Sequence, residues 1–291
     1  MIDLHSHSTA SDGSLGPAAL VVLARQRGLR ALALTDHDTV AGMPEAEAAA
    51  AAQSGDPAPF RLIRGVEIEI AFEPGEFHLL GLDLAPLFGA DGAPAGPGAA
   101  ALLEALERLG EARDERNRHI IENLRDSGIA VTMEELGEAA GDSRPGRPHI
   151  ASLLVAHKAA KNRQDAFSRF LAKGRPFYEA KECMPLEEAM ALVRGAGGLA
   201  IVAHPLSLFV SWTRLAGIMD SWKELGIDGI EAWHPAAKVG QCRRLEKMGR
   251  DRGFRITAGS DFHGSIRPER KLGKTAGGIE IADSYLDELS R

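Results

Sequence analysis

Cysteine and aromatic residues are scarce in this chain, with two cysteines and 5% Phe, Trp and Tyr among 291 residues. Cys183 and Cys242 lie far apart and outside any zinc-type spacing, which argues against a disulfide scaffold or a thiolate zinc site and for ordinary reduced thiols. Basic surplus is missing too: the net charge is −7 and the pI near 5.8. There is no global field for capturing long nucleic acid, and only a local basic pocket could serve that end. No uncharged apolar run reaches the ~18 residues of a membrane span, and no basic segment followed by an apolar stretch marks a secretory leader. These absences predict a cytoplasmic protein with no membrane contact and no obligate protein partner. No internal repeat is visible.

What is present is a hydrophobic share of 44% beside 26% charged residues, enough for a sizeable core. The length suits one barrel-like domain carrying an insertion. Strand and helix signals alternate through the first third. Residues 2–5, 31–35, 61–72 and 77–84 read as strands. One helix has Pro17 in its first turn and Gly28 just past its end, and a second covers residues 40–53. A Gly-, Pro- and Ala-rich loop at 89–98 breaks the pattern. Helical signals follow at 99–127, 133–140, 148–160 and 165–173, then at 185–194. Alternation resumes with strands at 199–203, 227–232 and 255–258, helices at 212–225 and 241–252, a last strand at 277–281 and a short terminal helix. The order predicts a mainly parallel α/β barrel. Its parts are residues 1–98, a helical insertion at 99–184 that would cap the substrate site, and residues 185–291.

Metal-type residues recur where those strands end. They are His5-Ser6-His7, Asp36-His37-Asp38, Gly65-Val66-Glu67, Ala203-His204-Pro205 and Ser260-Asp261-Phe262-His263. Alternate residues of a strand point the same way, so His5 and His7 can face one ion. A ring of parallel strands gathers its C-terminal ends, where barrel enzymes place their chemistry. The candidate ligands are His5, His7, Asp12, His37, Glu67, His78, His204, Asp261 and His263. Imidazoles mixed with carboxylates suit Zn²⁺, Mn²⁺ or Fe²⁺, and the number of donors suits two or three ions. Asp12, in Ser11-Asp12-Gly13-Ser14, also fits a turn or helix cap. Glu67 and Glu69 share one strand face, and the residues alone do not choose between them. His78 also fits a satisfied strand histidine, and His119 and His157 read as ordinary helix residues. His234 follows a strand and fits a ligand, a general acid or a substrate contact.

Taken together, the His5-x-His7 pair, Ser11-Asp12-Gly13, Thr35-Asp36-His37-Asp38, Gly65-Val66-Glu67, Ala203-His204-Pro205 and Ser260-Asp261-x-His263 resemble the PHP (polymerase and histidinol phosphatase) domain, in the family's order. The resemblance implies a distorted (βα)₇ barrel with a trinuclear metal centre. It selects Glu67 over Glu69, because the family carboxylate follows Gly-Val directly, and matches His78 to the family's His-Ile-Leu-Gly ligand. Gly146-Arg147-Pro148-His149-Ile150-Ala151, with Phe170-Leu171-x-x-Gly174-x-Pro176-x-Tyr178 downstream, is similar to the nucleotide-directed members. Those are 3′,5′-nucleoside bisphosphate phosphatases and 5′→3′ exoribonucleases. The chain has no room for a polymerase. A cyclic amide hydrolase is disfavoured because no strand end identified above supplies its carboxylated lysine.

The expectation is therefore a phosphoric monoester hydrolase acting on the 3′-phosphate of nucleoside 3′,5′-bisphosphates. Coordination lowers the pKa of water from 15.7 to about 7, which would supply a metal-bound hydroxide. Mn²⁺ is the first choice of ion, with Zn²⁺ or Fe²⁺ as alternatives. His5, His7, Glu67 and Asp261 would hold the ions at that hydroxide, His78 and His204 would complete a second ion, and Asp12, His37 and His263 a third. Asp261 and His234 are the catalytic candidates. Arg144, Arg147 and His149, with Ser265, are the candidates for binding the substrate's second phosphate, since arginine's planar fork suits phosphate and a helix N-terminus favours anions. The competing functions are 5′→3′ exonuclease action on short RNA and a non-catalytic metal- or nucleotide-binding PHP module.

Overall fold

A computed structural model describes residues 1–52, 60–141 and 144–290. Its centre is a seven-stranded sheet whose spatial order follows the sequence. The strands are β1 (Ile2–Asp3), β2 (Ala31–Leu34), β3 (Arg61–Ile70), β4 (Phe77–Leu82), β5 (Leu199–Ala203), β6 (Gly229–Trp233) and β7 (Arg255–Ala258). β1, β2 and β3 run parallel, as do β5, β6 and β7. The exception is β4, antiparallel to both neighbours. Its connection to β3 is too short for a crossover helix, so the chain must turn back as a hairpin. The two edges meet where the Leu4 N–H donates to the Ala258 carbonyl at 3.3 Å and the His7 N–H to the Phe262 carbonyl at 2.9 Å. Seven strands thus nearly close into an α/β barrel.

β2 and β6 are buried along their whole length, which is why they read as unbroken apolar runs rather than alternating ones. The helices pack outside. α1 (Pro17–Gln26) buries Pro17, Leu20, Val21 and Ala24, and Gly28 ends its turn at φ 74°. α2 (Met43–Ala52) follows. The sequence-predicted helix 40–53 begins three residues late, and its last residue, Gln53, lies outside the described residues.

The chain divides into two compact units, Met1–Leu106 with Met184–Arg291, and Glu107–Cys183. The division falls inside the thirty-residue α3 (Pro97–Asp126), eight residues beyond the boundary read from the loop at 89–98. The reason is packing. A Cβ at Gly98 would strike the Gly195 carbonyl, and Ala99, Leu102, Ala105 and Leu106 are buried, so the start of α3 belongs to the barrel.

The second unit has its own core of Ile120, Ile121, Leu124, Leu136, Ile150 and Leu154, among others. α4 (Met133–Ala140) opens with a reciprocal cap between Thr132 and Glu135. α5 (Arg147–Ala156) and the one-turn α6 (Arg163–Ala166) follow, and then a π-helical turn over Phe167–Leu171. The regular helix expected at 165–173 is therefore split.

Back in the barrel come α7 (Leu186–Gly195), α8 (Trp212–Leu225), α9 (Val239–Asp251) and the short α10 (Ser284–Asp287). The strand expected at 277–281 does not form. Gly277 and Gly278 adopt φ values of 66° and 73°, closing a 3₁₀ turn at Ala276–Gly278, and a single bridge joins Lys274 to Glu280.

Leu80, in the antiparallel strand, is fully buried. Leu80→Ala should lower stability by about 2–5 kcal/mol through lost transfer energy and the cavity left behind. Urea unfolding at fixed metal content measures it, and a loss within experimental error would mean the core collapses around the gap.

Candidate metal centre

Local sequence explains how the side chains converge. His5 and His7 leave β1 on alternate residues and are both fully buried, with their Nε2 atoms 3.1 Å apart. His37 follows β2 and forms a bridge with Glu67 of β3. Glu67 is 1% exposed, and its two oxygens serve different neighbours. Oε2 lies 3.1, 3.2 and 3.2 Å from His5, His7 and His37. Oε1 lies 2.8 Å from His78 on β4 and 3.0 Å from His204 after β5. Glu67, not Glu69, is thus the carboxylate among the imidazoles.

Asp261 is divided in the same way. Oδ1 lies 3.1 Å from His7, 3.3 Å from His263 and 3.6 Å from His5. Oδ2 lies 3.0 Å from His234 and is paired with Arg270. The residue before this segment must be glycine: a Cβ at Gly259 would collide with His5 and Glu231.

Donor atoms within 4.8 Å of one another form three overlapping groups: His7, Asp12, His37 and His263; His5, His7, Glu67 and Asp261; and His37, Glu67 and His78. Of the nine sequence candidates only His204 falls outside these groups, and it contacts Glu67. Two donors each ~2.1 Å from one ion sit about 3.0–3.4 Å apart, which is the spacing of His5, His7 and Glu67 from one another and of His7 from Asp261. A second observation also fits a cation. The Nδ1 of His7 is buried without a hydrogen-bond partner, 3.9 Å from Asp12 Oδ1, and a nitrogen so placed is normally satisfied.

Electrostatics agree. Burial pushes His37 down to about 3 and His263 to about 4, so both are neutral at pH 7 and offer lone pairs. Burial would also lower His5, but Glu67 and Glu231 outweigh it and push the imidazole up to about 10, which marks a place that favours positive charge. Burial would raise Glu67, and the His37, His5 and His78 rings outweigh it and hold the carboxyl well below its usual range.

Several holding residues carry no ligand motif and are missed by sequence reasoning. Glu231 of β6 is 1% exposed; its Oε1 lies 3.0 Å from His5 Nδ1, and its Oε2 accepts from the His204 N–H at 3.0 Å. Burial would raise it, but His5 outweighs burial and lowers it to about 2, so it is a carboxylate that fixes His5 with Nε2 towards the centre. Asp3 accepts from Ser260 N–H at 2.9 Å, Ser260 Oγ at 2.5 Å and Gly273 N–H at 2.7 Å, tying the last strand end to the first. Asp36 accepts from the Ser8 amide and hydroxyl and from the Ser11 hydroxyl. The available signal was a carboxylate inside an apolar run, as in Ile2-Asp3-Leu4 and Ile230-Glu231-Ala232.

His204 is oriented through Ser207. The Ser207 hydroxyl donates to the Glu76 carbonyl at 2.7 Å, so its oxygen can accept the Nδ1 proton of His204 at 3.0 Å, leaving Nε2 facing Glu67. His234 accepts from the Ala236 N–H at Nδ1, 3.2 Å away, which puts its proton on Nε2, facing Asp261. Burial keeps it neutral, with a pKa well below the usual range.

The substrate-binding candidates from the insertion are engaged within their own unit. Arg144 pairs with Asp114 at 2.9 Å and Glu107 at 3.3 Å. Arg147 lies over the Tyr178 ring at 5.7 Å. His149 accepts from the Gly146 N–H at 3.1 Å, capping α5. The Ser265 amide donates to Ser14 Oγ at 2.8 Å. His119 pairs with Glu115 and His157 with Glu135, both as surface contacts.

A cavity of about 430 Å³ opens over the centre. His37, Glu67, His78, His204, His234 and Asp261 line it, together with Arg267, Arg270, Leu206 and Phe209. The two arginines come from the loop after Asp261-Phe262-His263 and were not singled out from the sequence.

Residues 3–138 match the PHP domain family. Over 277 residues, 94% of this chain and 91% of the relative, the sequence is 33% identical to a 3′,5′-nucleoside bisphosphate phosphatase of Chromobacterium violaceum. Over 261 residues, 90% of this chain and 89% of the relative, it is 33% identical to a 5′-3′ exoribonuclease of Haemophilus influenzae. A solved structure from Bifidobacterium adolescentis, assigned as a metal-dependent phosphoesterase, superposes with a TM-score of 0.78 at 28% identity, covering 99% of this chain and 94% of that one. The chain belongs to the PHP domain family, and it is a metal-dependent hydrolase of the phosphoesterase class. Among the described residues no helix is long and apolar enough to cross a membrane.

Glu231→Gln should keep the fold but loosen His5, weakening metal retention about 10–100-fold, the usual effect of losing such a supporting partner. Metal content after dialysis against graded chelator measures this. Unchanged retention would limit Glu231 to bracing the backbone.

Proposed function

We propose that this protein removes the 3′-phosphate from nucleoside 3′,5′-bisphosphates. The observation that carries the reading is the pairing, in one cavity of about 430 Å³, of the nested ligand groups with the guanidinium groups of Arg267 and Arg270. Such a volume is typical of small-ligand sites, and it offers places for two phosphates, one over the ligand groups and one by the arginines. The likeness to a bisphosphate phosphatase across nearly the whole chain supports the same substrate.

Divalent ions, Mn²⁺ in this reading, would supply a water acidic enough to attack phosphorus near neutral pH and a counter-charge for the phosphoryl oxygens. His5, His7, Glu67 and Asp261 would hold the first. His78 and His204, sharing Glu67, would complete a second, and Asp12, His37 and His263 a third. The chain's own groups do the rest. Arg270 and Arg267, both beside Asp261 Oδ2, neutralise the second phosphate at the edge of the centre, and Arg270, 12% exposed at its side chain, is the more firmly held of the two. His234, whose Nε2–H lies 3.0 Å from Asp261 Oδ2, would shift that hydrogen bond to the oxygen on which charge develops as the ester bond breaks. Being neutral, it acts as a donor and would have to take up a proton before it could give one away.

A second reading is 5′→3′ exonuclease action on short RNA. It draws on a neighbouring hollow lined by Ser14, Arg27, Ser265, Arg270 and Lys271, which shares Arg270 with the main cavity and would suit the next backbone phosphate.

The discriminating assay is phosphate release by Mn²⁺-loaded protein from adenosine 3′,5′-bisphosphate, beside AMP and a short 5′-phosphorylated RNA. Release from the bisphosphate should dominate, and Asp261→Asn should lower it about a hundredfold or more, the scale seen when one transition-state contact is removed. Nucleotides shed from RNA instead would replace the leading substrate. Full activity in Asp261→Asn at normal metal content would remove Asp261 from the chemistry. Arg267→Ala should raise KM for the bisphosphate much more than for an aryl monophosphate. The same ratio in Arg147→Ala tests the insertion, and whichever variant leaves the ratio unchanged loses its claim on the second phosphate.

A further inference from the structure

We propose that Phe209 is the platform on which the base of the nucleotide stacks, an inference that rests on the nucleotide reading above. Phe209 is 75% exposed, the most exposed of the large hydrophobic residues described, where the others reach at most 48% and none is aromatic. It lines the same cavity as His204, Glu67 and Asp261. Only the four residues of a tight turn separate it from His204, so whatever stacks on the ring stays within reach of the phosphate site.

The backbone makes the placement deliberate. Phe209 sits at φ 51°, ψ 37°, a left-handed conformation that is unfavourable for a bulky residue and is kept only where the surroundings over-determine it. They do so here. Pro205–Leu208 forms a 3₁₀ turn, and the Phe209 N–H donates to the Leu206 carbonyl at 3.3 Å. The β3–β4 hairpin clamps the turn from outside: the Glu76 N–H donates to the Ser207 carbonyl at 2.9 Å, and the Ser207 hydroxyl returns a bond to Glu76. Gly75 completes the clamp, since a Cβ there would strike the Ser207 and Leu208 backbone. An aromatic ring so exposed on a strained turn buries little for the fold. Beside a site built for anions, it fits the flat apolar face of a base. Because every base has such a face, the platform predicts weak preference among the four bases.

The test compares wild type, Phe209→Ala and Phe209→Trp, all metal-loaded, on adenosine 3′,5′-bisphosphate and on its abasic counterpart, 1-deoxyribose 3,5-bisphosphate. Loss of the platform should raise KM for the nucleotide about tenfold or more, the scale of one stacked base, with a much smaller effect on the abasic substrate and on kcat. Tryptophan should restore the nucleotide KM. Equal effects on both substrates, or none on either, would overturn the proposal. A second readout needs no turnover: the fluorescence of 2-aminopurine riboside 3′,5′-bisphosphate should be quenched on binding wild type and not on binding Phe209→Ala. Quenching without phosphate release would retain the platform and reject the phosphatase reading. Phosphate release with identical quenching in both proteins would do the reverse.

Discussion

The Glu67 carboxylate is the constraint around which this barrel is arranged. It is buried to 1% exposure, where an unpaired charge would be strongly disfavoured, and five imidazoles from four other segments close on its two oxygens. Because Oε2 serves His5, His7 and His37 while Oε1 serves His78 and His204, the side chain joins donor sets that would otherwise be separate. Barrel topology makes this affordable in conformational terms. Each partner arrives on the end of a strand already fixed by its neighbours, so little extra order is needed to assemble the centre.

Around that core lies a layer of carboxylates whose task is to hold other residues. Glu231 fixes one ring nitrogen of His5 and the amide of His204. Asp3 ties Ser260 and Gly273 to the first strand, one residue before Asp261. Asp36 fastens the Ser8–Ser11 turn that carries Asp12. Burial pushes Asp3 up to about 6, whereas Glu231, facing an imidazole with a high pKa, falls to about 2. The difference follows from the partners. Asp3 meets amides and a hydroxyl, which stabilise a carboxylate less than the charged ring beside Glu231 does.

The candidate donors that the structure brings together were legible in the chain because metal-type chemistry demands particular residue types at local spacings, such as His5-x-His7 and Asp261-x-His263. Most elements of the fold were legible for the same reason: period and punctuation are local. What depends on distant partners was not. The reversal of β4 follows from a short hairpin, and the lost strand at 277–281 from two consecutive left-handed glycines. The engagement of Arg144 depends on Glu107 and Asp114 one helix away, so its motif alone suggested a freer side chain. Arg270 lacked a signal of its own, since its meaning comes from facing Asp261.

Four of the six non-glycine residues at positive φ among the described residues, Asp38, His204, Phe209 and Asp261, lie at this end of the barrel. Asp38, His204 and Asp261 have φ values of 52°, 27° and 49°, and each directly follows or is a candidate ligand. Such conformations cost on the order of 1–3 kcal/mol apiece, so a chain selected for stability alone would have little reason to keep three of them. The geometry supplies one. A strand that continued in extended form would send alternate side chains to opposite faces, whereas a left-handed step redirects the next side chain inward. At Asp261 that step lets one carboxylate oxygen face the His7 and His263 rings while the other meets His234 and Arg270. The Asp3 bonds to Ser260 and the close approach of Gly259 to His5 and Glu231 hold the segment in this conformation. Stability is thereby exchanged for a carboxylate that links the ligand groups to the cations at the cavity wall.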